Sequence, residues 1–306
     1  MNYNIFISTV KQELEKRMKG EVTLRVCSTV KNNGVEKSGL AFQIEAERLS
    51  PTIYMEEYYQ QFESGVPMEE VITNIYNLYG EIRYTPDWND GGIEKFEHIK
   101  DMIAYRLIGR EKNEKLLAEV PYRDYLDLAV VFYLLLEVGR RGSATMLIRN
   151  EHLEMWEVLP EDLYRSAIEN TARLLPAEFK SMEAVLEELD IEEPVKEIAE
   201  NEAAGTNMYV LSNQIRSFGA AAILYDHILE ALADTIKESY YVLPSSVHEV
   251  IIVPESGSMA SIELEAMVTE INETQVDDEE ILSNRIYFYD IKKEPELKIV
   301  RHKFTI

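Results

Sequence analysis

The feature that most constrains the fold of this chain is an uninterrupted run of apolar residues from Leu128 to Leu136. A membrane-spanning helix needs about 20 such residues, and this run has about half of that length. A strand with one face in water alternates between apolar and polar residues, whereas this run does not alternate. We therefore predict a strand that is buried on both faces at the centre of a sheet.

The composition fits a chain that can surround such a strand with a core. Of the 306 residues, 46% are hydrophobic and 28% are charged, which is typical of a globular protein and not of a disordered or fibrous one. A chain of this length buries roughly three quarters of its unfolded surface on folding. That area is enough for one large core or for two smaller ones.

Changes of pattern along the chain predict an α+β fold with three segments. Residues 1–90 indicate a small N-terminal domain with a helix and an antiparallel sheet, and a turn-rich linker at 85–92 follows. Residues 93–190 indicate a middle α+β unit, and residues 205–306 indicate a C-terminal α+β unit. The last two segments share an order of strands and helices, so they form either a degenerate tandem or one larger mixed domain.

The N-terminal segment begins with an amphipathic helix and continues with a hairpin. Two alternating stretches, at 21–30 and 38–47, flank a turn at 32–34, whose asparagines and glycine tolerate positive φ. A third short strand is predicted at 52–54, before two further helices. The apolar stripe of the first helix consists of Phe6, Val10, Leu14 and Met18.

In the later segments we predict strands at 220–224 and at 247–253, because both stretches are apolar and follow turn residues. A closing hairpin is predicted from 286 to 300. Between the two segments, residues 183–202 hold nine acidic residues and one lysine. Such a stretch favours a solvated connection or an exposed helix.

The net charge of −25 limits the partners that the chain can bind. Nucleic acids and anionic membranes attract clustered lysine and arginine, so we expect neither a direct nucleic-acid interface nor a membrane interface. The charge is compatible with a basic protein partner, with metal capture, or with solubility alone. The single cysteine, Cys27, cannot form an intramolecular disulfide, and the first residues lack a signal-peptide pattern, so we expect a cytoplasmic location.

Several spaced strings of residues resemble a known bacterial family. The strings lie at residues 31–35, 51–54, 127–133, 167–171, 243–250 and 272–276. Together they resemble a family catalogued only as a domain of unknown function, number 5688, found in anaerobic gut bacteria. A weaker similarity in layout exists to a second uncharacterised family, the domain of unknown function numbered 1444. Neither resemblance implies an activity, a cofactor or catalytic residues.

The string with the most suggestive chemistry contains Ser246, His248 and Glu249. On a strand, the first two would point to one face and Glu249 to the other. A serine nucleophile needs its Oγ within hydrogen-bond reach of an imidazole nitrogen, but same-face neighbours on a strand lie roughly 6.5–7 Å apart. We keep the three residues as catalytic candidates, with a turn and a partly exposed histidine as the alternative.

The sequence predicts no metal site and no cofactor. The histidines are widely spaced, and the chain has no His-Glu-x-x-His, Cys-x-x-Cys or EF-hand pattern. Four consecutive acids at 277–280 could collect Ca²⁺ or Mg²⁺ loosely. A charge run of this kind is more often a solvated loop.

Aromatic residues are the remaining candidates for binding, since the chain has 18 tyrosines and 9 phenylalanines. A cluster of them can form a partner surface, because tyrosine combines apolar area with a polar tip, or it can be the seam where helices cover the N-terminal sheet. The C-terminal lysines also allow two interpretations, a docking tail or an edge hairpin protected from aggregation. The interaction candidates are Tyr54, Tyr58, Tyr59 and Phe62.

Three functions remain compatible with the sequence. The first, which we favour, is a non-enzymatic protein-interaction module that binds another protein through its acidic or tyrosine-rich surfaces. The second is an enzyme of unrecognised type, with an inter-domain site that includes Ser246 and His248. The third is a nucleic-acid mimic that binds a DNA-binding protein, and it rests on the net charge alone.

Overall fold

The protein has an α+β fold, as the sequence predicts. Contacts divide it into two compact units, Met1–His98 (unit 1) and Ile99–Ile306 (unit 2), which are described one after the other. Most of the predicted linker and the acidic stretch from residue 189 onward lie outside the described residues. The computed structural model describes residues 1–43, 51–83, 92–139, 142–188, 208–257, 259–293 and 296–301.

Helices and strands are numbered in chain order. The described helices are α1 (Tyr3–Arg17), α2 (Glu56–Glu63), α3 (Met68–Arg83), α4 (Phe96–Ile99), α5 (Glu114–Leu117), α6 (Asn150–Trp156), α7 (Pro160–Leu174), α8 (Met182–Glu188), α9 (Ile228–Ile236) and α10 (Ser261–Thr274). The described strands are β1 (Thr23–Val30), β2 (Glu36–Gln43), β3 (Thr52–Tyr54), β4 (Ile103–Gly109), β5 (Tyr122–Tyr125), β6 (Leu128–Gly139), β7 (Gly142–Leu147), β8 (Ala177–Ser181), β9 (Tyr209–Asn213), β10 (Tyr240–Leu243), β11 (Val250–Pro254), β12 (Tyr287–Tyr289) and β13 (Leu297–Ile299). None of these helices combines the length and the apolar character that crossing a membrane requires.

Unit 1 packs its helices against a three-stranded antiparallel sheet with the order β1-β2-β3. The apolar stripe of α1 is buried, and α3 adds Val71 and Ile75 to the same core. The chain passes from β1 to β2 through a tight turn at Asn32–Gly34, in which Asn33 and Gly34 adopt φ of 58° and 75°. The predicted helix, hairpin and turn are confirmed.

The strand β1 lies at one edge of this sheet, and Leu24 is its single buried residue. Leu24 is 2% exposed, whereas Val26 is 54% and Val30 is 49% exposed. The cross-strand partner of Val26 is Leu40, which is fully buried. The core of unit 1 therefore covers Leu40 on β2 but leaves β1 largely uncovered from Arg25 onward.

The first sheet of unit 2 is built around β6. This strand pairs with β4 on one side and with β5 and β7 on the other, always antiparallel. From Leu128 to Leu134 no residue of β6 is more than 4% exposed, which confirms the predicted buried central strand. The strand β5 was not predicted, because its sequence is short and mostly polar.

The helix α7 covers the outer edge of β4. The side-chain amide of Asn170 donates hydrogen bonds to the carbonyls of Lys100 (2.7 Å) and Ile103 (3.2 Å). The backbone N–H of Tyr105 donates to the hydroxyl of Thr171 at 3.1 Å. Both α7 residues are buried, and both belong to the string 167–171 that carries the family resemblance. That part of the string therefore stabilises a sheet edge.

The second sheet of unit 2 has six strands in the order β13-β12-β10-β11-β9-β8, and all of its pairs are antiparallel. The predicted closing hairpin is confirmed as β12 and β13. The strand β8 comes from the middle segment and was not predicted, yet it pairs with β9 of the C-terminal segment. Because the two sheets differ in strand number and order, a duplication stays a prediction.

Asp127 connects the two sheets of unit 2 through side-chain hydrogen bonds. Its Oδ1 accepts from the hydroxyl of Tyr287 on β12 (2.7 Å), and its Oδ2 accepts from the hydroxyl of Ser283 (2.6 Å). Burial and the adjacent Asp127 carboxylate raise the pKa of Tyr287 well above its usual value. The tyrosine therefore stays protonated and donates to the carboxylate.

The predicted strand at 220–224 is wrong, because Gly219–Leu224 form a 3₁₀ helix. This segment passes so close to β9 that a Cβ at Gly219 would collide with the hydroxyl of Ser212 and lie 2.5 Å from the carbonyl of His248. Only glycine fits this approach. The small alanines that follow are buried as the prediction requires, but they pack as a helical turn rather than as a strand.

Candidate functional site

The three catalytic candidates lie in the loop between β10 and β11. The strand β11 begins at Val250, so the predicted strand start at residue 247 is wrong. Ser246, His248 and Glu249 therefore precede the strand, and the alternation of a strand does not apply to them.

The four consecutive acids at 277–280, before β12, form the acidic loop. Main-chain hydrogen bonds to this loop explain why β11 starts late. The N–H of Val247 donates to the carbonyl of Glu280 at 2.8 Å. Ser246 forms an isolated antiparallel bridge with Ile281. The main chain at Ser246 and Val247 is therefore bonded to the acidic loop, while the carbonyl of His248 accepts a hydrogen bond from the side-chain hydroxyl of Ser212 on β9 at 2.7 Å.

Both ring nitrogens of His248 have partners. Its Nδ1 accepts a hydrogen bond from the backbone N–H of Phe218 at 3.2 Å, and its Nε2 lies 3.2 Å from Oε1 of Glu280. Because Nδ1 accepts, the proton of the neutral ring is assigned to Nε2, which faces the carboxylate. The imidazole also stacks on the ring of Phe218, with centroids 5.8 Å apart. These contacts hold the imidazole in one orientation.

Ser246 is 5% exposed, and its Oγ accepts a hydrogen bond from the backbone N–H of His248 at 3.0 Å. A serine nucleophile would instead donate its proton to the imidazole. The structure thus brings Ser246, His248 and Glu249 together, but the imidazole nitrogens face Phe218 and Glu280. The catalytic roles of the three candidates stay predictions.

Burial raises the pKa of Glu249 above its usual value. The nearby carboxylate of Glu280 acts in the same direction, whereas His248, the Ser246 hydroxyl and Arg216 act in the opposite direction. The fold therefore favours the protonated carboxyl at a pH where an exposed glutamate is ionised.

A tight turn after β9 positions Phe218. The buried side chain of Asn213 donates to the carbonyl of Ser217 (2.8 Å) and accepts from its N–H (3.3 Å). Arg216 and Phe218 adopt φ of 49° and 54°, in a region that residues other than glycine rarely occupy. The turn directs the ring of Phe218 against His248 and against the sheet face of β4.

Sequence reasoning missed two residues on that sheet face, Arg106 and Tyr133. The Cζ atom of Arg106 lies 4.5 Å from the ring centroid of Phe218, and the ring of Tyr133 packs edge-on against the same ring at 5.7 Å. Nε of Arg106 and the hydroxyl of Tyr133 are buried without a hydrogen-bond partner in the described structure. Burial lowers the pKa of Arg106 and raises the pKa of Tyr133 to about 12. The sequence feature that could have indicated this site is an arginine inside the apolar stretch 103–108.

The aromatic candidates of unit 1 lie where the helices meet the core. Tyr59 packs edge-on against Phe6 at 5.2 Å, Phe62 lies 5.6 Å from the same ring, and Tyr58 also contacts the core. Tyr54 on β3 carries a lysine ammonium 3.7 Å from its ring centroid. The contacts of Tyr58, Tyr59 and Phe62 agree with the seam interpretation, whereas the lysine contact of Tyr54 does not test it. A role of the four residues in binding a partner stays a prediction.

Alternate residues of β1 direct their backbone groups toward the outer edge of the sheet. The N–H of Lys31 donates to the carbonyl of Val35 at 2.7 Å, and bonded and free positions alternate along an antiparallel ladder. Even-numbered residues of β1 therefore direct their N–H and C=O groups away from β2. Within the described residues no strand pairs with this edge. The residues concerned are Leu24, Val26, Ser28 and Val30.

Unit 2 also contains a polar cavity of about 520 Å³ beside α10. Its lining includes Glu273, Asp277 and Asp278, together with Lys112 and Asn272. In the part of the chain that the structure describes, no three His, Cys, Asp or Glu side chains are arranged to hold a metal ion. We therefore assign no metal ligands here.

Comparison with known proteins places the chain in a family but not in a functional class. Neither a curated protein nor a solved structure matches the chain. A family model described as a family of unknown function, DUF5688, matches residues 3–291, which is nearly the whole chain. All of the strings that carry the resemblance lie within this range. The chain therefore belongs to the family of unknown function DUF5688.

Proposed function

We propose that this chain is a non-enzymatic protein-interaction module that binds an extended segment of another protein along the outer edge of β1. In this mode of binding the partner adds a strand to the sheet and forms main-chain hydrogen bonds with its edge. The observation that carries the proposal is the edge of β1, which has exposed side chains and no strand partner among the described residues. Cytoplasmic location is part of the same proposal, supported by the single cysteine and the acidic composition.

The edge has the length and regularity that strand addition needs. β1 has eight residues, and its register with β2 runs from Thr23↔Gln43 to Val30↔Glu36 without a bulge. Exposed edges of natural sheets are usually short, bulged, or protected by lysine or proline. β1 contains neither lysine nor proline, and Arg25 is its single charged residue.

The side chains of the edge define the chemistry of the partner. Val26 and Val30 are about half exposed and lie on one face of the strand, with Ser28 between them. A partner strand with apolar residues at alternate positions would cover them, since cross-strand side chains meet at about 5 Å. The net charge of −25 favours basic residues next to that apolar segment.

The bonds of His248 support a binding function over the enzyme hypothesis. Its imidazole is held by the backbone of Phe218 and by Glu280, which favours a structural role for this residue. The proposal needs no contribution from Ser246 or Glu249.

A comparative pull-down from nuclease-treated lysate tests the proposal. The baits are the wild type, the double variant Val26→Lys/Val30→Lys, and a control with lysines at Met155 and Ile262, exposed apolar positions of unit 2 (47% and 58% exposed). We expect wild type and control to capture the same protein, and the β1 variant to capture at least about tenfold less, because charges opposite apolar side chains oppose strand addition. Binding of a synthetic peptide from the captured protein should follow the same order.

Two results would contradict the proposal. One is a partner that all three baits capture equally, which would locate the binding surface elsewhere. The other is a dimer of this chain, seen by light scattering, that the β1 substitutions dissolve. In that case a second copy, and not a different protein, would occupy the edge.

A further inference from the structure

Arg106 is a charged residue in the interior of an otherwise apolar strand. In β4 its neighbours Tyr105 and Leu107 are at most 3% exposed. The register pairs Ala104 with Tyr133 and Arg106 with Val131, so these four residues share one face of the sheet. The guanidinium and the phenol thus belong to the same, largely apolar surface of unit 2.

Phe218 covers one flat side of the Arg106 guanidinium. The Cζ atom lies 4.5 Å from the ring centroid, which is the geometry of a cation–π contact. In such a stack the N–H groups of the arginine point outward in the guanidinium plane and not into the ring. Nε is buried and has no hydrogen-bond partner in the described structure, although Arg106 as a whole is partly exposed.

Among the described residues, the hydroxyl of Tyr133 is a second buried group without a hydrogen-bond partner. Buried polar groups in natural proteins are nearly always hydrogen-bonded, and those that are not require a specific explanation. Both groups can donate a hydrogen bond, and an arginine can only donate. A ligand that satisfies both would therefore supply acceptor oxygens.

The surrounding charge limits the ligand to a single negative charge. The carboxylate of Glu279 interacts electrostatically with Arg106, and Glu280 lies next to it in the chain. A dianionic phosphate would be repelled by these acids, whereas a monoanion is balanced by one arginine. A carboxylate also matches the planar, forked donor geometry of a guanidinium.

We propose that Arg106 and Tyr133 form a receptor for one carboxylate group, carried either by a small organic acid or by the C-terminus of a peptide. The guanidinium edge would donate to the carboxylate, and the tyrosine hydroxyl would donate a further bond. Phe218 keeps the guanidinium plane fixed, and the turn around Asn213 keeps Phe218 in place. This site is independent of the β1 edge, which lies in unit 1.

Thermal unfolding in sodium acetate, with sodium chloride at equal ionic strength as reference, tests the receptor. We expect acetate to raise the midpoint of the wild type saturably, and the Tyr133→Phe variant to need at least about tenfold more acetate for the same rise, since a hydrogen bond to a charged group contributes about that factor. Tyr133→Phe keeps the ring and removes only the unpartnered hydroxyl. It should therefore fold at least as stably as the wild type in chloride.

The source of the carboxylate is tested by adding N-acetyl-glycylglycine with a free or an amidated C-terminus. Tighter binding of the free peptide than of acetate indicates a peptide C-terminus, and equal binding indicates a small acid. Equal responses of wild type and Tyr133→Phe to acetate would overturn the proposal. So would an amidated peptide that binds as well as the free one.

Discussion

In the part of the chain that the structure describes, unit 1 leaves the outer edge of β1 open, whereas unit 2 protects edge strands in both of its sheets. In the four-stranded sheet, Asn170 and Thr171 of α7 bond to the backbone at the edge of β4. In the six-stranded sheet, the edge strand β8 carries Glu178 and Lys180, which pair at 2.9 Å. The opposite edge strand, β13, has three residues, of which Lys298 is exposed. In the described residues, unit 2 thus uses cover, paired charges and shortness at its sheet edges, whereas β1 has eight residues, a single charged side chain (Arg25) and no covering element.

The difference indicates that the open edge is a property of β1 and not of the sequence as a whole. An open, regular edge with apolar side chains invites pairing with other chains, and natural proteins usually prevent it. Where the same chain prevents it elsewhere, an unprotected edge is best explained by a function. Val26 and Val30 are the residues on which that function would depend.

The largest loss of stability is expected for a variant that removes the side chain bonded to the edge of β4. Asn170→Ala removes the amide that donates to the carbonyls of Lys100 and Ile103. We expect the free energy of unfolding to fall by about 3 kcal/mol, because each buried group that loses its partner costs about 1–3 kcal/mol. Urea unfolding measures the loss. The matched control is Glu169→Ala, an exposed neighbour on α7, and equal losses for both variants would show that α7 does not protect β4 in this way.

The next effect concerns the connection between the two sheets of unit 2. Asp127→Asn replaces one accepting oxygen by a donor that faces a hydroxyl of Ser283 or Tyr287. We expect a loss of about 2 kcal/mol, the usual contribution of a hydrogen bond to a charged group. In a double-mutant cycle, Tyr287→Phe should cost less in the Asp127→Asn background than in the wild type. Strictly additive losses would mean that the two side chains do not interact.

A pair of proline substitutions compares the two sides of β1 directly. Thr29 directs its N–H toward β2, and Ser28 directs its N–H outward, according to the alternation of the ladder. Proline removes the N–H, so Thr29→Pro should destabilise the protein by about 1 kcal/mol more than Ser28→Pro. Chemical unfolding of both variants provides the values. The reverse order would mean that the outer side of β1 is the bonded one.

The smallest effect concerns Glu249 and depends on pH. Burial raises the pKa of this carboxyl in the folded state, so above about pH 4 the unfolded state releases the proton first and the wild type loses stability as pH rises. Glu249→Gln cannot ionise and escapes this loss. We expect the variant to be more stable than the wild type at pH 7, by less than about 1 kcal/mol, and equal to it near about pH 3.5. Melting curves between about pH 3.5 and pH 7 measure the difference in stability between the variant and the wild type. A variant that is less stable than the wild type at pH 7 would refute the prediction.

Much of the fold follows from local patterns in the sequence. The stripe of Phe6, Val10 and Leu14 defines α1, because burial of one helix face leaves a helical periodicity. The apolar run defines β6, because burial of both strand faces leaves a continuous run without alternation. The strands β5 and β8 leave no such signal, since they are short and partly exposed. The stretch 220–224 misled because small apolar residues suit a strand and a 3₁₀ turn equally well.

The sites were less accessible from the sequence, because they depend on contacts between distant positions. Ser246 and His248 were recognised by residue type, but the bond from Phe218 to the imidazole joins residues thirty positions apart. Arg106 and Tyr133 meet only through the register of β4 with β6. The open edge of β1 likewise depends on strand order, which alternation alone does not give.

Amide hydrogen exchange in β1, followed residue by residue by NMR at low protein concentration, tests the central claim most directly. The account predicts fast exchange at Leu24, Val26, Ser28 and Val30 and slow exchange at Arg25, Cys27 and Thr29, whose N–H groups bond to β2. Binding of a partner segment should then protect the fast set. Uniformly slow exchange along β1 in the free protein would mean that its outer edge is already paired, and it would contradict the account.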